Sequence, residues 1–499
     1  MNLVELAEQS LGKMGELTTD VFKGIEYTNY QLIRSANKLA NGLIGHGINP
    51  GDKIIVMLLN IPEVLISYQA ILRAGAIIIP VISHMKPNEV VNIIKSSKAK
   101  AIITSKDFIH IIKQISGNTG PLKHIIIVES REIPDTISFE KIVEGCTDNL
   151  PAIKLNDDDI AALIYTSGTS GEPKGVMLTH NNLCSNGKVS LFATKDLSTN
   201  SSVDLITQPL CGFFGMGALI SSFLYPTKRI VMPYFELEQA CQLIERYKVT
   251  SISVTPAILS HIINNNDIVN KYDTSSLYMC ICGGAPLPLK VREIFEKQFN
   301  CKIYEGYGLT ESSGAVAFQR IGRKRKLGSV GKVVPGVEVK IVDKNGNEVA
   351  NNEIGELIAK GPVISPGYYN MPEESAKVIK EGWLHTGDIA KIDDEGFVYI
   401  VDREKDLIIT NGLNVVPRDV EEVLYKHPLI TEAAVIGLPD EEMGEKVKAI
   451  VVTKNGAIKE NDIIGHCREY LAEYKCPKYI QFVDELPRNA NGKILRRNL

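Results

Sequence analysis

The chain has 499 residues, of which 44% are hydrophobic and 23% charged, and its formal net charge is -4. This balance is typical of a soluble globular enzyme, and it excludes both a basic footprint for nucleic acid and an acidic tail. The densest basic run, GRKRK at 322–326, is expected to be a solvated surface.

Targeting and redox signals are weak. The first residues, MNLVELAEQS, place acids among apolar residues, unlike a signal peptide. The 9 cysteines and 9 histidines are scattered along the chain and include no CxxC pair. This argues against a disulfide framework or a structural zinc site and favours a reducing, cytoplasmic location. The uncharged run between Asp204 and Lys228 is rich in Gly, Pro and Ser, so it predicts a buried segment or pocket wall and no integral membrane segment.

Short apolar runs alternate with helix-period segments through roughly the first 300 residues, which predicts parallel α/β sheets. The predicted strands are 53–59, 76–81, 101–105 and 124–130 for a first sheet, and 159–167, 229–233, 250–254 and 301–306 for a second. Helices are predicted at 62–74 and 87–96.

The pattern changes in the last third of the chain. After about Gly328, closely spaced strand candidates with turn signals predict a small β-barrel-like subdomain. Beyond Asp402, helix candidates at 418–425 and 462–473 flank strand candidates at 431–436 and 447–452. The predicted fold class is therefore α/β: a large N-terminal domain of two doubly wound βα sheets plus the β-barrel-like subdomain, followed by a small α+β C-terminal domain.

The stretch YTSGTSGEPKGV, at 165–176, has the composition of a loop wrapped around phosphate. A predicted strand precedes it and a helix candidate begins near His180, so strand, turn and helix start together would offer backbone N–H groups to an anion. It is not a Walker loop, because Pro173 precedes Lys174 and Gly175 follows it. From this stretch alone, a surface hairpin rich in Gly and Ser is the alternative.

The longer string YTSGTSGEPKGVMLTH resembles the signature loop of the adenylate-forming superfamily, which includes acyl- and aryl-CoA synthetases, luciferases and the adenylation domains of peptide synthetases. Six further motifs follow in the family's order, and the resemblance covers essentially the whole chain. They are GGAPLP (283–288), YEGYGLTES (304–312), GEL (355–357), GWLHTGD (382–388), YIVDREKDLI (399–408) and PRNANGKILRR (487–497).

The resemblance implies a reaction in two steps and two domains. A carboxylate is first coupled to ATP, with release of pyrophosphate, and the resulting acyl-AMP then passes its acyl group to a thiol. ATP, Mg²⁺ and coenzyme A are the implied cofactors. Residues 1–402 are expected to form the AMP-binding domain, with the ATP and acyl sites, and residues 403–499 a mobile domain that carries a catalytic lysine.

The resemblance also implies site residues. Lys493 would insert beside the α-phosphate and the carboxylate, and it is the first of the catalytic set, with Thr166 and Thr310. Glu311 would be the Mg²⁺ ligand. Further nucleotide contacts are implied for Ser167, Gly168, Thr169, Ser170, Gly171, Lys174, Gly284, Ala285, Pro286, Glu305, Gly306, Tyr307, Gly308, Asp388 and Arg403.

Within that set, Tyr307 is expected against the adenine. Asp388 would accept hydrogen bonds from the ribose hydroxyls, which is chemistry that suits a carboxylate, and Arg403 would join it at the ribose or phosphate. The C-terminal domain is expected to rotate about a hinge at Lys405 between the two steps. The coenzyme A tunnel is assigned to Gly412 and Leu413.

The acyl pocket is assigned to Gly212, Phe213 and Gly283. Many family members carry an aromatic–His gate where this sequence has Cys211 and Gly212, so either space opens for a longer or bulkier acid, or Phe213 or Phe214 substitutes for the gate. No aspartate lies between residues 205 and 227 to pair with an amino acid's ammonium. A fatty or aryl carboxylic acid is therefore favoured over an amino acid or a dicarboxylic acid.

The acyl acceptor is the remaining question. Fatty-acyl-AMP ligases that serve carrier proteins have an extra segment after the Mg²⁺ motif, and the sequence from Glu311 to Gly328 leaves no room for it. Coenzyme A is thus the leading acceptor. The alternatives are a stand-alone adenylation enzyme that loads an aryl or fatty acid onto a separate acyl or aryl carrier protein, and a non-catalytic nucleotide-binding module.

Overall fold

Strands and helices alternate along the chain in a computed structural model that describes residues 1–115, 122–128, 133–167, 173–194, 202–224, 227–440, 442–454, 458–488 and 493–499. In chain order the strands are β1 Thr18–Phe22, β2 Ile25–Thr28, β3 Lys53–Met57, β4 Ile77–Pro80, β5 Ala101–Ser105, β6 His124–Val128, β7 Ile137–Ser138, β8 Ile160–Ser167, β9 Pro173–Thr179, β10 Val203–Ile206, β11 Lys228–Val231, β12 Ser251–Val254, β13 Met279–Cys282, β14 Lys302–Leu309, β15 Gly314–Phe318, β16 Gly331–Val333, β17 Glu338–Val342, β18 Gly355–Lys360, β19 Ile379–Lys380, β20 Trp383–Ile392, β21 Phe397–Arg403, β22 Ile408–Thr410, β23 Leu413–Val415, β24 Ile430–Asp440, β25 Gly444–Thr453 and β26 Tyr479–Phe482.

The helices connect these strands and cover their faces. In chain order they are α1 Leu3–Met14, α2 Asn29–Gly45, α3 Pro62–Arg73, α4 Pro87–Ser97, α5 Ile109–Ile115, α6 Phe139–Val143, α7 His180–Thr194, α8 Phe213–Leu224, α9 Leu237–Tyr247, α10 Pro256–Ile263, α11 Asn266–Val269, α12 Leu289–Phe299, α13 Pro372–Val378, α14 Pro417–Lys426 and α15 Glu460–Tyr470. Single 3₁₀ turns at Thr310–Ser312 and Glu404–Asp406 follow β14 and β21.

The first sheet is 7-stranded, in the order β7-β6-β5-β3-β4-β8-β9. Its neighbours are parallel except β8 and β9, which are antiparallel. Helices cover both faces, which explains why β3 is an unbroken apolar run. Ile54 and Val56 pack in the cluster that includes α3, while Ile55 and Met57 pack in the cluster that includes α4.

The second sheet is 14-stranded and its parallel part has the order β14-β13-β12-β10-β11-β1, with β2 at the edge. The strand predicted for this sheet at 159–167 is β8, and it lies instead in the first sheet, where it pairs with β4. That prediction is wrong because a strand buried on both faces has the same apolar pattern in either sheet. Only the packing of the connecting helices decides which sheet it joins.

The predicted β-barrel-like subdomain is an open extension of the second sheet. Beyond β14, the strands continue in the order β15-β16-β21-β20-β18-β17, with β19 beside β20. Their pairings are antiparallel. Among the described residues the path ends at β17 and does not close into a barrel. The turn-rich pattern indicated antiparallel strands correctly, but it carried no information on closure.

The C-terminal part is a separate α+β unit, as predicted. A 5-stranded sheet has the order β23-β22-β25-β24, with β26 beside β25. Side chains of α14 and α15 pack with β24 and β25 in one apolar cluster. The two long strands extend well beyond the predicted 431–436 and 447–452, because their pairing runs from Ile430 opposite Thr453 to Asp440 opposite Gly444.

The uncharged run and the basic run both lie among described residues for most of their length. The uncharged run forms the end of β10 and then helix α8, which packs in the core. Within the described ranges, no helix is both long and apolar enough to cross a membrane. The basic run at 322–326 is ion-paired: Lys324 and Lys326 contact Glu395 at 2.6 and 2.9 Å, and Arg325 contacts Glu296 at 2.6 Å.

Candidate active site

The glycine-rich stretch joins the two strands of a β-hairpin, β8 and β9. Ile160 lies opposite Thr179 at one end of the hairpin, and Ser167 lies opposite Pro173 at the other. Helix α7 begins at His180, at the end remote from the glycines, because the 7 residues of β9 intervene and span about 20 Å. The expected helix N-terminus is therefore not at the glycine-rich stretch.

Several predicted phosphate contacts lie outside the described residues. They are Gly168, Thr169, Ser170 and Gly171, together with the side chain of Ser167.

Lys174, within this stretch, is a cation fixed by an ion pair. It stands opposite Thr166 in the hairpin. Its Nζ lies 2.6 Å from Glu374 Oε2 and 5.1 Å from the ring centroid of Tyr368. Hydrogen bonds from Lys174 and then Lys377 lower the pKa of Glu374 to about 2. With its side chain 15% exposed, Lys174 is not the solvated lysine of an ordinary surface loop.

The carboxyl ends of β10, β12, β13 and β14 lie side by side in the second sheet, and ligands of open α/β sheets bind at this edge. The predicted segment Gly283–Pro286 follows β13, while Gly306 and Gly308 lie within β14. A Cβ built on Gly283 would be 3.7 Å from the carbonyl oxygen of Gly306. Gly284 has φ +86, where a side chain would be strained. The next two residues, Ala285 and Pro286, are half-buried and exposed.

Asp388 is at the centre of a polar cluster. It lies opposite Arg403 in the pairing of β20 with β21 and is 4% exposed. The Tyr307 hydroxyl donates to Asp388 Oδ2 at 2.6 Å, and Arg403 Nε lies 3.0 Å from Oδ1. Burial and then the negative Asp388 raise the pKa of Tyr307 well above its usual range, so the hydroxyl remains a donor. A carboxylate has about four acceptor positions, so Asp388 can also accept from a vicinal diol.

Glu311 lies in the turn that follows β14. Its Oε1 accepts a hydrogen bond of 2.9 Å from the Tyr368 hydroxyl, and its carbonyl oxygen accepts one of 2.8 Å from Ser365 N–H. Among the described residues no further hydrogen bond or ion pair reaches this half-buried carboxylate. Mg²⁺ favours oxygen ligands and keeps several waters, so one available carboxylate beside phosphates fits it. Thr310, half-buried, precedes Glu311 in the same turn.

Glu305, a predicted nucleotide contact, is occupied within the protein. Its carboxylate lies 2.8 Å from Arg292 Nη1, and both side chains are buried. Burial raises its pKa to about 6, against the effect of Arg292. Its N–H donates to Gln319 Oε1 at 3.1 Å, and its carbonyl oxygen accepts from Gln319 N at 2.9 Å. Glu305 thus links β14 to α12 through its ion pair with Arg292.

Lys493, from the far C-terminal end of the sequence, lies near enough to the Asp388 cluster to interact with it electrostatically. The residue is solvent-exposed, yet the protein around its ammonium is dense enough that desolvation lowers its pKa. The positive Arg403 lowers that pKa further, and the negative Asp388 opposes both effects. The lysine therefore stands within electrostatic reach of the two residues predicted to hold the ribose and phosphate.

The predicted hinge and tunnel residues lie in turns. Lys405 is in the 3₁₀ turn Glu404–Asp406, directly after β21. Asn411 and Gly412 join β22 to β23 with φ of +50 and +75, as a type I′ hairpin turn requires. Leu413, next in the chain, is 48% exposed.

The residues at the gate positions face different surroundings. Cys211 is buried, and its Sγ accepts a hydrogen bond of 3.4 Å from Leu58 N–H, so it points into the core. A Cβ on Gly212 would lie 3.6 Å from Ile82. Phe213 packs partly buried against the first core, whereas Phe214 is exposed. Cys211 therefore cannot serve as a gate, and the space beside Gly212 is bounded by Ile82.

Sequence reasoning missed four supporting residues. Tyr368 and Glu374 contact Glu311 and Lys174, and no motif pointed to them. Arg292 pairs with Glu305, but its sequence context indicates only a residue of a helix. Glu356 accepts hydrogen bonds from Gly387 N–H at 3.0 Å and His385 Nδ1 at 2.8 Å. Glu356 belongs to the GEL motif, which marked its position but did not predict a role for it.

Comparison with known proteins decides the family. Residues 8–369 match the AMP-binding enzyme family, and residues 419–493 match the AMP-binding enzyme C-terminal domain. The chain belongs to the AMP-binding enzyme family. The resemblance to adenylate-forming enzymes is thereby confirmed, as is the α/β fold with a large N-terminal and a small C-terminal domain.

Relatives of this AMP-binding enzyme are acid–CoA ligases. It is 35% identical to the long-chain-fatty-acid–CoA ligase of Bacillus subtilis (strain 168), over 100% of this chain and 94% of the relative. It is 34% identical to a 4-coumarate–CoA ligase of Humulus lupulus, over 98% of this chain and 89% of the relative. A crystal structure of an anthranilate CoA ligase in complex with anthranoyl-AMP has a TM-score of 0.92 and 29% identity, over 99% of this chain and 95% of that one.

These relatives confirm the predicted enzyme class, an AMP-forming acid–thiol ligase. Ligases of this class use ATP, Mg²⁺ and coenzyme A, which are the cofactors that the sequence predicts.

Proposed function

We propose that this AMP-binding enzyme joins an apolar carboxylic acid to coenzyme A by way of an acyl-AMP, with release of pyrophosphate and AMP. The observation that carries the proposal is the Asp388 carboxylate held by Tyr307 and Arg403, with Lys493 near enough for its charge to interact with both charged residues. Attack at the α-phosphate gathers negative charge there, and a preorganised cation next to the ribose site stabilises that charge. A binding module without chemistry has no need of such a lysine.

The phosphate side of the site is proposed to lie between the hairpin and the turn after β14. Thr166, Lys174 and the glycine-rich stretch would hold the β- and γ-phosphates, and Thr310 would contact the α-phosphate. Glu311 would hold Mg²⁺, which neutralises phosphate charge when bound. The ion pair of Lys174 with Glu374 supports this assignment, because it holds a largely buried cation at the start of β9, opposite Thr166.

The C-terminal domain is proposed to move between the two steps. Bounds of 1–402 and 403–499 place the boundary at the end of β21, with Lys405 in the following turn as the hinge. Polar contacts that cross the boundary are compatible with movement: Arg418 Nη1 donates to the Ile400 carbonyl oxygen at 2.7 Å, and Leu289 N–H donates to Glu422 at 3.2 Å. Rotation would bring the coenzyme A tunnel, with Gly412 and Leu413, toward the acyl-AMP.

The acid is proposed to be a fatty or aryl carboxylate. The relatives named above act on both kinds of acid, and the uncharged run at the acyl site offers no partner for an ammonium group. Gly212 places no side chain against Ile82, where a Cβ would lie in van der Waals contact at 3.6 Å. Gly283, at the end of β13, would complete the wall with Phe213. Burying an unpaired charge there would be costly, which disfavours amino acids and dicarboxylates.

Coenzyme A is the proposed acceptor in preference to a carrier protein, since the relatives are CoA ligases and the segment after Glu311 is short. We also propose a cytoplasmic location, because all nine cysteines are free thiols and a reducing compartment keeps them so.

The proposal is tested by exchange of labelled pyrophosphate into ATP, which reports adenylation alone. Wild-type enzyme should show exchange that depends on a fatty or aryl acid. Lys493→Ala should reduce it by about 10²-fold to 10³-fold, while thioester formation from supplied acyl-AMP falls much less. Lys454→Ala, at an exposed lysine of the same domain, is the matched control.

Three results would count against the proposal. Absence of acid-dependent exchange would indicate a non-catalytic nucleotide-binding module. Exchange with no thioester formed on coenzyme A, but formed on a carrier protein, would favour the carrier-loading enzyme. Equal losses in both half-reactions for Lys493→Ala would contradict the role given to that lysine.

A further inference from the structure

Tyr368 lies in a segment that joins the two phosphate-side elements of the site. Met177 N–H donates to the Gly367 carbonyl oxygen at 2.9 Å, and Tyr369 N–H donates to the Gly175 carbonyl oxygen at 2.8 Å, so the segment pairs with β9. Ser365 N–H, at the start of the same segment, donates to the Glu311 carbonyl oxygen. The segment therefore connects the hairpin to the turn that carries Glu311.

The side chain of Tyr368 contacts both elements. It is 7% exposed, its hydroxyl donates to Glu311 Oε1 at 2.9 Å, and its ring lies under the ammonium of Lys174. Burial, followed by the charge of Glu311, raises the pKa of this phenol above its usual range, so it remains a donor. One rigid side chain thus spans the distance between a cation and a carboxylate of the site.

We propose that Tyr368 is a positioning residue for metal-bound nucleotide: its hydroxyl fixes the Glu311 carboxylate in the orientation that a divalent cation requires. The inference rests on the proposed function, in which Glu311 holds Mg²⁺. Mg²⁺ demands near-octahedral geometry and dehydrates reluctantly, so a freely rotating carboxylate would bind it poorly. Loss of a hydrogen bond behind a metal ligand typically costs about 10-fold to 100-fold in affinity or activity.

The chain offers a change that removes only the hydroxyl. Tyr368→Phe deletes the hydrogen bond to Glu311 but retains the ring beneath Lys174, so the cation–π contact is preserved. Tyr399→Phe is the matched control, because the Tyr399 hydroxyl also donates to a carboxylate, Asp393 Oδ2 at 3.2 Å, outside the site.

The readout is calorimetric binding of an ATP analogue with a methylene group between the α and β phosphorus atoms, which cannot release pyrophosphate. Binding is measured with excess Mg²⁺ and with a chelator. We expect Tyr368→Phe to weaken binding about 10-fold or more in Mg²⁺, with metal-free affinity unchanged. Tyr399→Phe should behave as wild type. A purely structural role for Tyr368 would instead weaken both forms equally, and that result, or no change at all, would overturn the proposal.

Two variants of Glu311 test the same contact from the side of the carboxylate. Glu311→Gln should abolish the effect of Mg²⁺ on binding; if it does not, both the metal role of Glu311 and the inference for Tyr368 fall. Glu311→Asp draws the carboxylate back from both the Tyr368 hydroxyl and the metal, so it should lose at least as much metal-dependent affinity as Tyr368→Phe. Adding Tyr368→Phe to Glu311→Asp should cost little more, since the Tyr368–Glu311 contact is already lost; fully additive losses would count against the proposal. If Tyr368→Phe proves unstable, an unchanged metal-dependent affinity in Glu311→Asp would overturn it.

Discussion

Protonation of His180 is expected to destabilise the fold on the acid side of neutrality. This histidine begins α7, is 2% exposed, and its Nδ1 accepts a hydrogen bond of 3.2 Å from Leu3 N–H, so it is neutral in the fold. Desolvation lowers its pKa from 6.5 to about 4, against the opposing effects of Asp159, Asp157 and Glu5. The unfolded chain, with an ordinary histidine, binds a proton at a much higher pH.

The stability of the fold depends on pH through the difference between the two pKa values of His180. The folded state binds fewer protons than the unfolded state between pH 6.5 and about 4, so stability falls as the pH falls through that window. Each pH unit there is worth about 1.4 kcal/mol, which gives a total of about 3 kcal/mol below the folded pKa. Above about pH 7.5 the histidine contributes no slope.

The assay compares wild type with His180→Asn, whose amide oxygen can accept the Leu3 hydrogen bond but cannot titrate. Urea unfolding followed by circular dichroism gives the free energy of unfolding between about pH 7.5 and about pH 4.5. Over this range of falling pH, the wild type should lose about 2 to 3 kcal/mol more free energy of unfolding than the variant. His84→Asn, at an exposed histidine, should lose as much free energy of unfolding on acidification as the wild type. A difference between wild type and His180→Asn that stays constant with pH would refute the reasoning.

Three further changes test the site. Asp388→Asn should raise the KM for ATP in pyrophosphate exchange about 10-fold to 100-fold, since hydrogen bonds to a charged group contribute about 1.5–3 kcal/mol and Arg403 loses its partner; an unchanged KM would contradict this. Lys405→Pro should spare adenylation and slow thioester formation, and equal rates relative to wild type in both steps would rule out the hinge. Gly212→Leu should narrow the space beside Ile82, so palmitate should lose activity in a pyrophosphate-release assay while octanoate retains it; equal effects on the two acids would disprove the pocket assignment.

Local patterns predicted the elements well where burial is periodic. The strands near 53–59 and 101–105 and the helices near 62–74 and 87–96 are present with small shifts of their ends. The pattern failed on pairing. The strand at 159–167 joined the first sheet, and the turn-rich region after Gly328 extended a sheet without closing, because strand partners are chosen by contacts distant in sequence.

The candidate site shows the same division. The motifs indicated Asp388, Arg403, Tyr307 and Glu311 by their order along the chain. They could not indicate Tyr368, since an isolated tyrosine gives no pattern until folding places its hydroxyl 2.9 Å from Glu311.

The amino-acid sequence by itself determined the family, the order of the motifs and the chemistry available at each, because those depend on residue types and short spacings. Only the tertiary structure decided which groups meet. It separated the start of α7 from the Ser167 end of the hairpin by the length of β9, paired Glu305 with Arg292, turned Cys211 into the core, and placed Lys493 within electrostatic range of Asp388. Such meetings depend on the packing of distant segments, which local sequence does not encode.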